Sequence, residues 1–146
     1  MRRLFGALGA ALAVPATVLA VGPVTAAFAA PTIVTCGTLS GTAASASATG
    51  CNDKTLTGGS AKLVSNSTGS TFKVTFASGK TAKGTSTTTV VATSTCPTRF
   101  ATEITAKSTV TGGTAKALIG AKTTNKLCVN ATTGRFELLP GTKYKI

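Results

Sequence analysis

A run of alternating apolar and polar residues near the middle of the chain constrains the fold most. Phe72, Val74 and Phe76 alternate with Thr and Lys, which places three large apolar side chains on one face of a strand. Residues 77–80, Ala-Ser-Gly-Lys, supply turn chemistry, because glycine tolerates the positive φ of tight hairpins. Residues 87–91 are all β-branched and favour the extended state. The sequence therefore predicts a hairpin with one apolar face.

The rest of the chain after the N-terminal segment shows strand periodicity and no helical periodicity. Gly112-Gly113 separates two β-favouring runs and predicts a two-residue hairpin turn. Residues 52–60 predict a surface loop, whereas residues 42–50 are compatible with a flexible linker or, as we prefer, a strand of small residues. Further strands are predicted at 32–39, 61–64, 100–111, within 114–129, at 135–139 and at the C-terminus. We expect an all-β fold, an antiparallel β-sandwich or a small open barrel.

The N-terminus has the pattern of an export signal. Two arginines, Arg2-Arg3, precede an apolar run at 4–19, and Ala27-Phe28-Ala29 fits the A-x-A rule for signal peptidase. We expect a signal peptide at residues 1–29 and a single secreted domain at 30–146, with cleavage after Ala27 as the alternative. The arginine pair leaves the general secretory and twin-arginine routes both open.

An uncleaved transmembrane anchor is the alternative interpretation of the same segment. Its apolar stretch is long enough to span a bilayer, but Pro15 and Pro23 would interrupt the helix. No later stretch is apolar enough to span a membrane. We therefore expect a soluble, exported protein, and a monomer.

Four cysteines are expected to form two structural disulfides, since their number is even and the chain is predicted to be exported. Three pairings are possible, and we favour the pairs that are neighbours in sequence. No two cysteines are close in sequence and the chain has no His, so neither a metal nor a cofactor site is expected. The favoured pairs are Cys36–Cys51 and Cys96–Cys128.

Five short motifs lie along the chain after the N-terminal segment: Cys36-Gly-Thr-Leu-Ser-Gly, Gly50-Cys51, Thr57-Gly-Gly-Ser, Phe76-Ala-Ser-Gly-Lys-Thr81 and Leu139-Pro-Gly-Thr-Lys-Tyr-Lys-Ile146. They provide an early Cys, a Gly-Cys pair some fifteen residues later, an A-S-G-K-T hairpin and a P-G-T ending. This frame resembles that of a group of small secreted actinobacterial proteins. The resemblance implies export and a high-GC bacterial source. It carries over no catalytic or binding residue.

The residue inventory argues against an enzyme. Without His, the usual general base and the Ser-His relay are missing. The three acidic residues are Asp53 in a predicted loop and Glu103 and Glu137 in predicted strands. Strand packing could bring the two glutamates together, but we expect such residues among lysines to form salt bridges. No catalytic residue is predicted.

Positive charge is the feature that points to a partner. The chain carries 15 Lys and Arg against 3 acidic residues, a formal charge of +12, and about +10 after loss of Arg2 and Arg3. We expect a basic surface that attracts an anionic cell-wall polymer or membrane surface. Nucleic acid is not expected, because aromatic and arginine platforms are scarce. The candidate residues are Lys73, Lys80, Lys83, Lys107, Lys116 and Lys122.

Two functions from different classes follow. The first is a non-enzymatic envelope protein that binds anionic polymers through its basic surface. The second is a small secreted ligand carrier or inhibitor that uses a cleft or loop. An apolar pocket lined by Phe72, Phe76 or Phe100 would favour the carrier, whereas a continuous lysine stripe without a pocket would favour the envelope protein.

Overall fold

The computed structural model describes residues 29–65 and 70–146. The predicted signal peptide, residues 1–29, lies outside the described residues except for Ala29. A one-turn helix, Lys54–Thr57 (α1), and a 3₁₀ turn, Lys116–Leu118, interrupt a fold that is otherwise strand and loop. The strands of the described part are Thr35–Thr42 (β1), Ala46–Cys51 (β2), Ser60–Ser65 (β3), Thr71–Phe76 (β4), Thr81–Val90 (β5), Thr102–Gly113 (β6), Lys122–Val129 (β7), Arg135–Leu138 (β8) and Tyr144–Lys145 (β9).

The strands form one antiparallel sheet that closes on itself. Each strand from β2 to β8 pairs with its neighbour in sequence, and β1 pairs with both β2 and β8. Eight strands therefore complete a barrel, and the short β9 pairs with the first residues of β1 beside β8. The expected all-β antiparallel fold is confirmed. Of the two expected architectures, the structure has the barrel, and it is closed rather than open.

The central hairpin, β4–β5, forms as predicted. Phe72, Val74 and Phe76 are buried inside the barrel, whereas Lys73 and Thr75 between them are exposed. Residues 77–80 make the turn, in which Gly79 has a φ of 79°. The alternation therefore identified the inward face of this strand.

The prediction of a hairpin turn at Gly112-Gly113 is wrong. Both glycines belong to β6 and pair with Lys83 and Ala82 of β5. An ideal Cβ on Gly113 would lie 2.8 Å from the Cα of Ala82, so glycine is required there for close approach of the two backbones. The register shifts next to this point, between Lys83 and Gly84, as at a β-bulge. The connection from β6 to β7 instead runs through the 3₁₀ turn, Lys116–Leu118.

Smaller departures from the predicted pattern occur where local signals were short. The predicted loop at 52–60 contains α1, because Asp53 accepts a hydrogen bond from the backbone N–H of Leu56 at 2.7 Å and caps that single turn. Phe100 lies in the loop before β6 rather than in the strand. The small-residue segment is a strand, β2, as we preferred, although it begins four residues later than the predicted range.

Both favoured disulfides are present. Cys36 and Cys51 face each other across β1 and β2, with their Cα atoms 3.8 Å apart. Cys96 joins the loop between β5 and β6 to Cys128 of β7, with a Cα separation of 5.6 Å. Disulfides of this kind form in oxidising compartments.

One end of the barrel is filled by core side chains. Val34 and Leu118 are fully buried and Ile146 and Phe76 nearly so. The backbones of Val34 and Ile146 bind each other through two hydrogen bonds of 2.7 and 3.0 Å, which fix the C-terminus at this end. Burial of four such side chains stabilises the fold by about 1.5–3 kcal/mol each. We call this the closed end.

Candidate functional sites

A cavity of about 270 Å³ extends from the closed end, where Ile146 lines it, toward the opposite end of the barrel. Since side chains alternate along each strand, the inward positions of every strand except β2 contribute to its lining. The lining is mainly apolar, with hydroxyl groups on one side. Its residues are Leu39, Ala43, Leu63, Ser65, Phe72, Ser86, Thr88, Ile104, Ala106, Ser108, Thr123, Asn125, Leu127, Val129, Gly134, Phe136, Tyr144, Lys145 and Ile146.

The cavity reaches the surface at the end opposite the C-terminus. Ala43, Thr88 and Gly134 line it and are exposed, and all three lie where β1, β5 and β8 approach the same end of the barrel. Val90 pairs with the cavity residue Ile104 and is 66% exposed, so this edge is apolar and accessible. We call this opening the mouth. In the described residues, the barrel is therefore filled by side chains at the closed end and contains a cavity that reaches the mouth.

The longest connection at the mouth, residues 91–101, folds against the outside of the barrel. The disulfide from Cys96 to Cys128 binds it to β7 on the face opposite the inward Leu127. Farther along, Arg99 makes a salt bridge to Glu137 of β8, with Nη2 2.9 Å from Oε1. Two strands thus hold this loop on the outer surface.

The carboxylate of Glu103 adds a third attachment for the same loop. Its Oε2 accepts hydrogen bonds from the backbone N–H of Thr95 at 2.9 Å and from the Thr95 hydroxyl at 2.8 Å. These two bonds, the backbone one first, lower the pKa of Glu103 below its ordinary value of 4.5, and the charge of Lys126 acts in the same direction. Glu103 therefore serves as an ionised acceptor that orders the loop.

The three acidic residues all lie outside the cavity. Glu103 of β6 pairs with Cys128 of β7, which in turn pairs with Glu137 of β8, so both glutamates lie on the outer face with β7 between them. Strand spacing places them roughly 10 Å apart. Glu137 forms the salt bridge that the sequence led us to expect, whereas Glu103 binds Thr95 instead. Asp53 caps α1, on the loop that follows β2.

Four of the six candidate lysines share one outer surface. Lys73, Lys83, Lys107 and Lys122 are exposed on the consecutive strands β4, β5, β6 and β7, and we call this surface the lysine wall. The other two lie elsewhere: Lys80 in the β4–β5 turn and Lys116 in the 3₁₀ turn, both at the closed end. Sequence reasoning left three further outward strand lysines out of the candidate set: Lys62 on β3, Lys126 on β7 and Lys145 on β9.

Like charges face each other on the lysine wall. Lys73 and Lys83 are direct partners in the β4–β5 register, and directly opposed charges of one sign destabilise a sheet. Lys107 pairs with Thr87 and Thr124 on its two sides. No acidic residue belongs to these four strands except Glu103, at the other end of β6. The wall is therefore a region of uncompensated positive charge.

The sequence analysis named three phenylalanines as possible pocket residues, and only one of them lines the cavity. Phe72 lines the cavity, Phe76 belongs to the closed end, and Phe100 is buried in the outer loop, where the Arg99 guanidinium lies 5.2 Å from its ring centre. The hydroxyl residues of the cavity were missed. Alternation along the strand was the one sequence signal for these hydroxyl residues, and it placed Ser108 on the same strand face as Ile104 and Val110.

Neither a metal site nor a spanning helix is found in the described part of the chain. All four cysteines are in disulfides, and no group of three or more metal-ligating side chains is arranged around a common point within residues 29–65 and 70–146. Within the same residues, no helix has the length and apolar character required to cross a membrane.

In the part of the chain that the structure describes, fold and site together define a disulfide-linked eight-stranded antiparallel barrel with an internal cavity. No protein-family model matches the chain, and no curated protein or solved structure matches it significantly.

Proposed function

We propose that the protein is a secreted, non-enzymatic carrier that holds a small apolar molecule inside the barrel. The observation that carries this proposal is the mainly apolar cavity of about 270 Å³ inside the barrel. A cavity of roughly 150 Å³ can hold benzene, and ligand pockets begin at about 300 Å³. The space therefore suits a molecule of one or two rings.

The architecture supports a carrier in two further ways. The core at the closed end stabilises the barrel without help from the cavity, so the cavity itself need not be filled by side chains. The loop at 91–101, which is long enough to reach across the mouth, is bound to the outer surface by Cys96 and Glu103. Access to the cavity from solvent is consistent with uptake and release of a ligand.

The geometry also favours a carrier over an enzyme. The acidic side chains lie outside the cavity, and the cavity wall offers neutral hydroxyl and amide groups rather than an acid–base pair. Export is supported by the two disulfides and by the pattern of the N-terminal segment.

Binding of a neutral fluorescent probe with two rings, 1-aminonaphthalene, tests the carrier proposal. The protein is produced from the full-length gene with both disulfides formed. Ala106→Phe fills the cavity from β6, and Thr124→Phe adds the same ring to the outer face of β7 as a matched control. We expect saturable fluorescence enhancement in the natural protein and in Thr124→Phe, and its loss in Ala106→Phe.

Thermal unfolding accompanies each titration, so that loss of binding is interpreted only for a folded variant. If Ala106→Phe does not fold, Leu127→Trp provides a second obstruction of the same cavity. Equal probe binding by the natural protein and a folded, obstructed variant would refute an internal site.

We propose a second function for the lysine wall: attachment to an anionic cell-wall polymer. The specific observation is that four consecutive strands each carry an exposed lysine, including the directly opposed Lys73 and Lys83. A chain of phosphate groups laid across these strands would neutralise charges that no acidic neighbour neutralises.

Retention on isolated bacterial cell walls across a salt series tests this attachment. Lys83→Glu/Lys107→Glu reverses two charges on the wall, whereas Lys80→Glu/Lys116→Glu makes the same change of net charge at the closed end. We expect the first variant to elute at much lower salt than the second. Equal elution of the two variants would mean that net charge alone governs retention.

A further inference from the structure

Three hydroxyl groups form a row across the inner surface of the barrel. Ser86 of β5 pairs with Ser108 of β6, and Ser108 pairs with Thr123 of β7. All three line the cavity, and the Ser108 hydroxyl lies 3.2 Å from that of Ser86. We call these residues the hydroxyl row. Polar groups on three adjacent strands give the cavity one polar side.

Two buried hydroxyls on this side have no partner within the described residues. Thr123 is 8% exposed and Tyr144 is 6% exposed, and both line the cavity. Neither side-chain oxygen makes a hydrogen bond to another described residue. Within the described residues, every side-chain oxygen that is completely buried has a hydrogen-bond partner. Since these two oxygens have none, each retains some accessible surface. Buried hydroxyl groups normally find partners, so each of these two has an O–H available for a ligand.

Asn125 joins the two strands that carry these residues. Its Nδ2 donates to the carbonyl of Lys145 at 2.9 Å, and its Oδ1 accepts from the backbone N–H of Lys145 at 2.7 Å. This pair of bonds joins β9 to β7, so Tyr144 and Thr123 lie on neighbouring elements. The side-chain amide of Asn125 is therefore engaged with the backbone of Lys145, whereas the hydroxyls of Thr123 and Tyr144 remain available to a ligand.

Among residues 29–65 and 70–146, no charged side chain is directed into the cavity. Lys145 is the only described lining residue with a formal charge at neutral pH, and it is exposed between the buried Tyr144 and Ile146, which directs its side chain outward. Burial raises the pKa of Tyr144, so its hydroxyl stays a neutral donor. A carboxylate inside would lose its hydration without gaining a cation.

We infer that the cavity selects a neutral, largely apolar molecule of one or two rings that carries a hydrogen-bond acceptor, such as a ketone or ester oxygen, toward Thr123 and Tyr144. The remaining wall supplies apolar contact for the ring, through side chains that include Leu39, Leu63, Phe72 and Phe136. This inference rests on the carrier function proposed above and adds the chemical class of its ligand.

A matched pair of ligands tests the inference. 1-Tetralone and tetralin are similar in size and differ by the ketone oxygen, and their affinities follow from displacement of 1-aminonaphthalene. Thr123→Val and Tyr144→Phe each remove one hydroxyl with little change in shape, and Thr124→Val is the control on the outer face. We expect each inner variant to weaken 1-tetralone about 2- to 10-fold, with tetralin affinity and the Thr124→Val variant unchanged. The anion tetralin-1-carboxylate should bind more weakly than 1-tetralone.

The possible failures are distinguishable. If both ligands displace the probe and their affinity ratio is the same in the natural protein and both inner variants, the polar selectivity is refuted while the carrier function stands. If the probe itself does not bind, or binds equally to a folded Ala106→Phe variant, the carrier function fails and the ligand class fails with it.

Discussion

Replacing Gly84 with alanine tests the packing of β5 against the cavity wall. Gly84 is buried opposite Phe72, and its φ is not in the left-handed region, so an alanine meets no conformational barrier there. An ideal Cβ would nevertheless overlap the carbonyl oxygen of Thr109 and lie 2.6 Å from Cζ of Phe72. The Phe72 ring can turn away, but the carbonyl belongs to the neighbouring strand and moves only with the backbone.

Gly112 provides a matched control on the partner strand. Its φ is likewise outside the left-handed region, and an ideal Cβ meets nothing within 4 Å. Overpacking at Gly84 should cost about 1–3 kcal/mol, whereas Gly112→Ala should stabilise by about 0.4–1 kcal/mol through lower entropy of the unfolded chain. The two substitutions should therefore have opposite signs and differ by about 1.4–4 kcal/mol, or roughly 10 °C in Tm.

Urea unfolding of both variants, followed by circular dichroism, measures this difference. Gly84→Ala should also reduce probe binding, because the displaced Phe72 ring belongs to the cavity wall. Free energies of unfolding that agree within about 0.5 kcal/mol for the two variants would show that the β5–β6 contact is not as close as described.

Three further predictions concern the outer surface. Glu103→Gln should lower Tm at pH 7, and the difference from the natural protein should shrink as the pH falls below 4.5. The reason is that a carboxyl whose pKa is lowered by folding contributes stability that is lost on protonation. A constant difference in Tm between pH 3 and 7 would contradict this. The double change Cys96→Ala/Cys128→Ala opens a link that spans 32 residues and should cost about 4 kcal/mol in urea unfolding, yet leave probe binding intact wherever the variant is folded; loss of binding would place the loop in the site. Lys83→Thr should stabilise the protein by about 0.2–1 kcal/mol at low salt and by less at high salt, because it removes the charge opposite Lys73; a salt-independent effect would argue against repulsion.

The inward faces of single strands could be predicted from the sequence, but closure of the sheet could not. Alternation at Phe72, Val74 and Phe76 is a local signal, and these side chains are inside as expected. Pairing of β1 with both β2 and β8 depends on contacts between residues nearly a hundred positions apart, such as Ser40 with Glu137. Such long-range pairing leaves no local signal by which a closed barrel and a sandwich differ.

The candidate site was only partly visible for a similar reason. Ser and Thr occupy inward and outward positions alike in this chain, so the cavity hydroxyls of Ser86 and Thr123 look like those of any exposed strand. The Gly112-Gly113 pair shows the opposite case, in which a strong turn signal served close approach of two strands. The cysteine pairing was predicted from proximity in sequence, and the structure has both pairs: Cys36–Cys51 joins the adjacent strands β1 and β2, and Cys96–Cys128 joins the β5–β6 loop to β7.

Methyl NMR during titration with 1-tetralone tests the central claim most directly, because it reports where the ligand binds. The barrel offers an internal comparison: Leu63 and Ile104 line the cavity, whereas Val64, 47% exposed, and Ile119, 38% exposed, lie outside it. We predict saturable shifts of the Leu63 and Ile104 methyl signals and none for Val64 and Ile119. Shifts confined to the outer methyl groups, or no shift up to the solubility of the ligand, would contradict a ligand site inside the barrel.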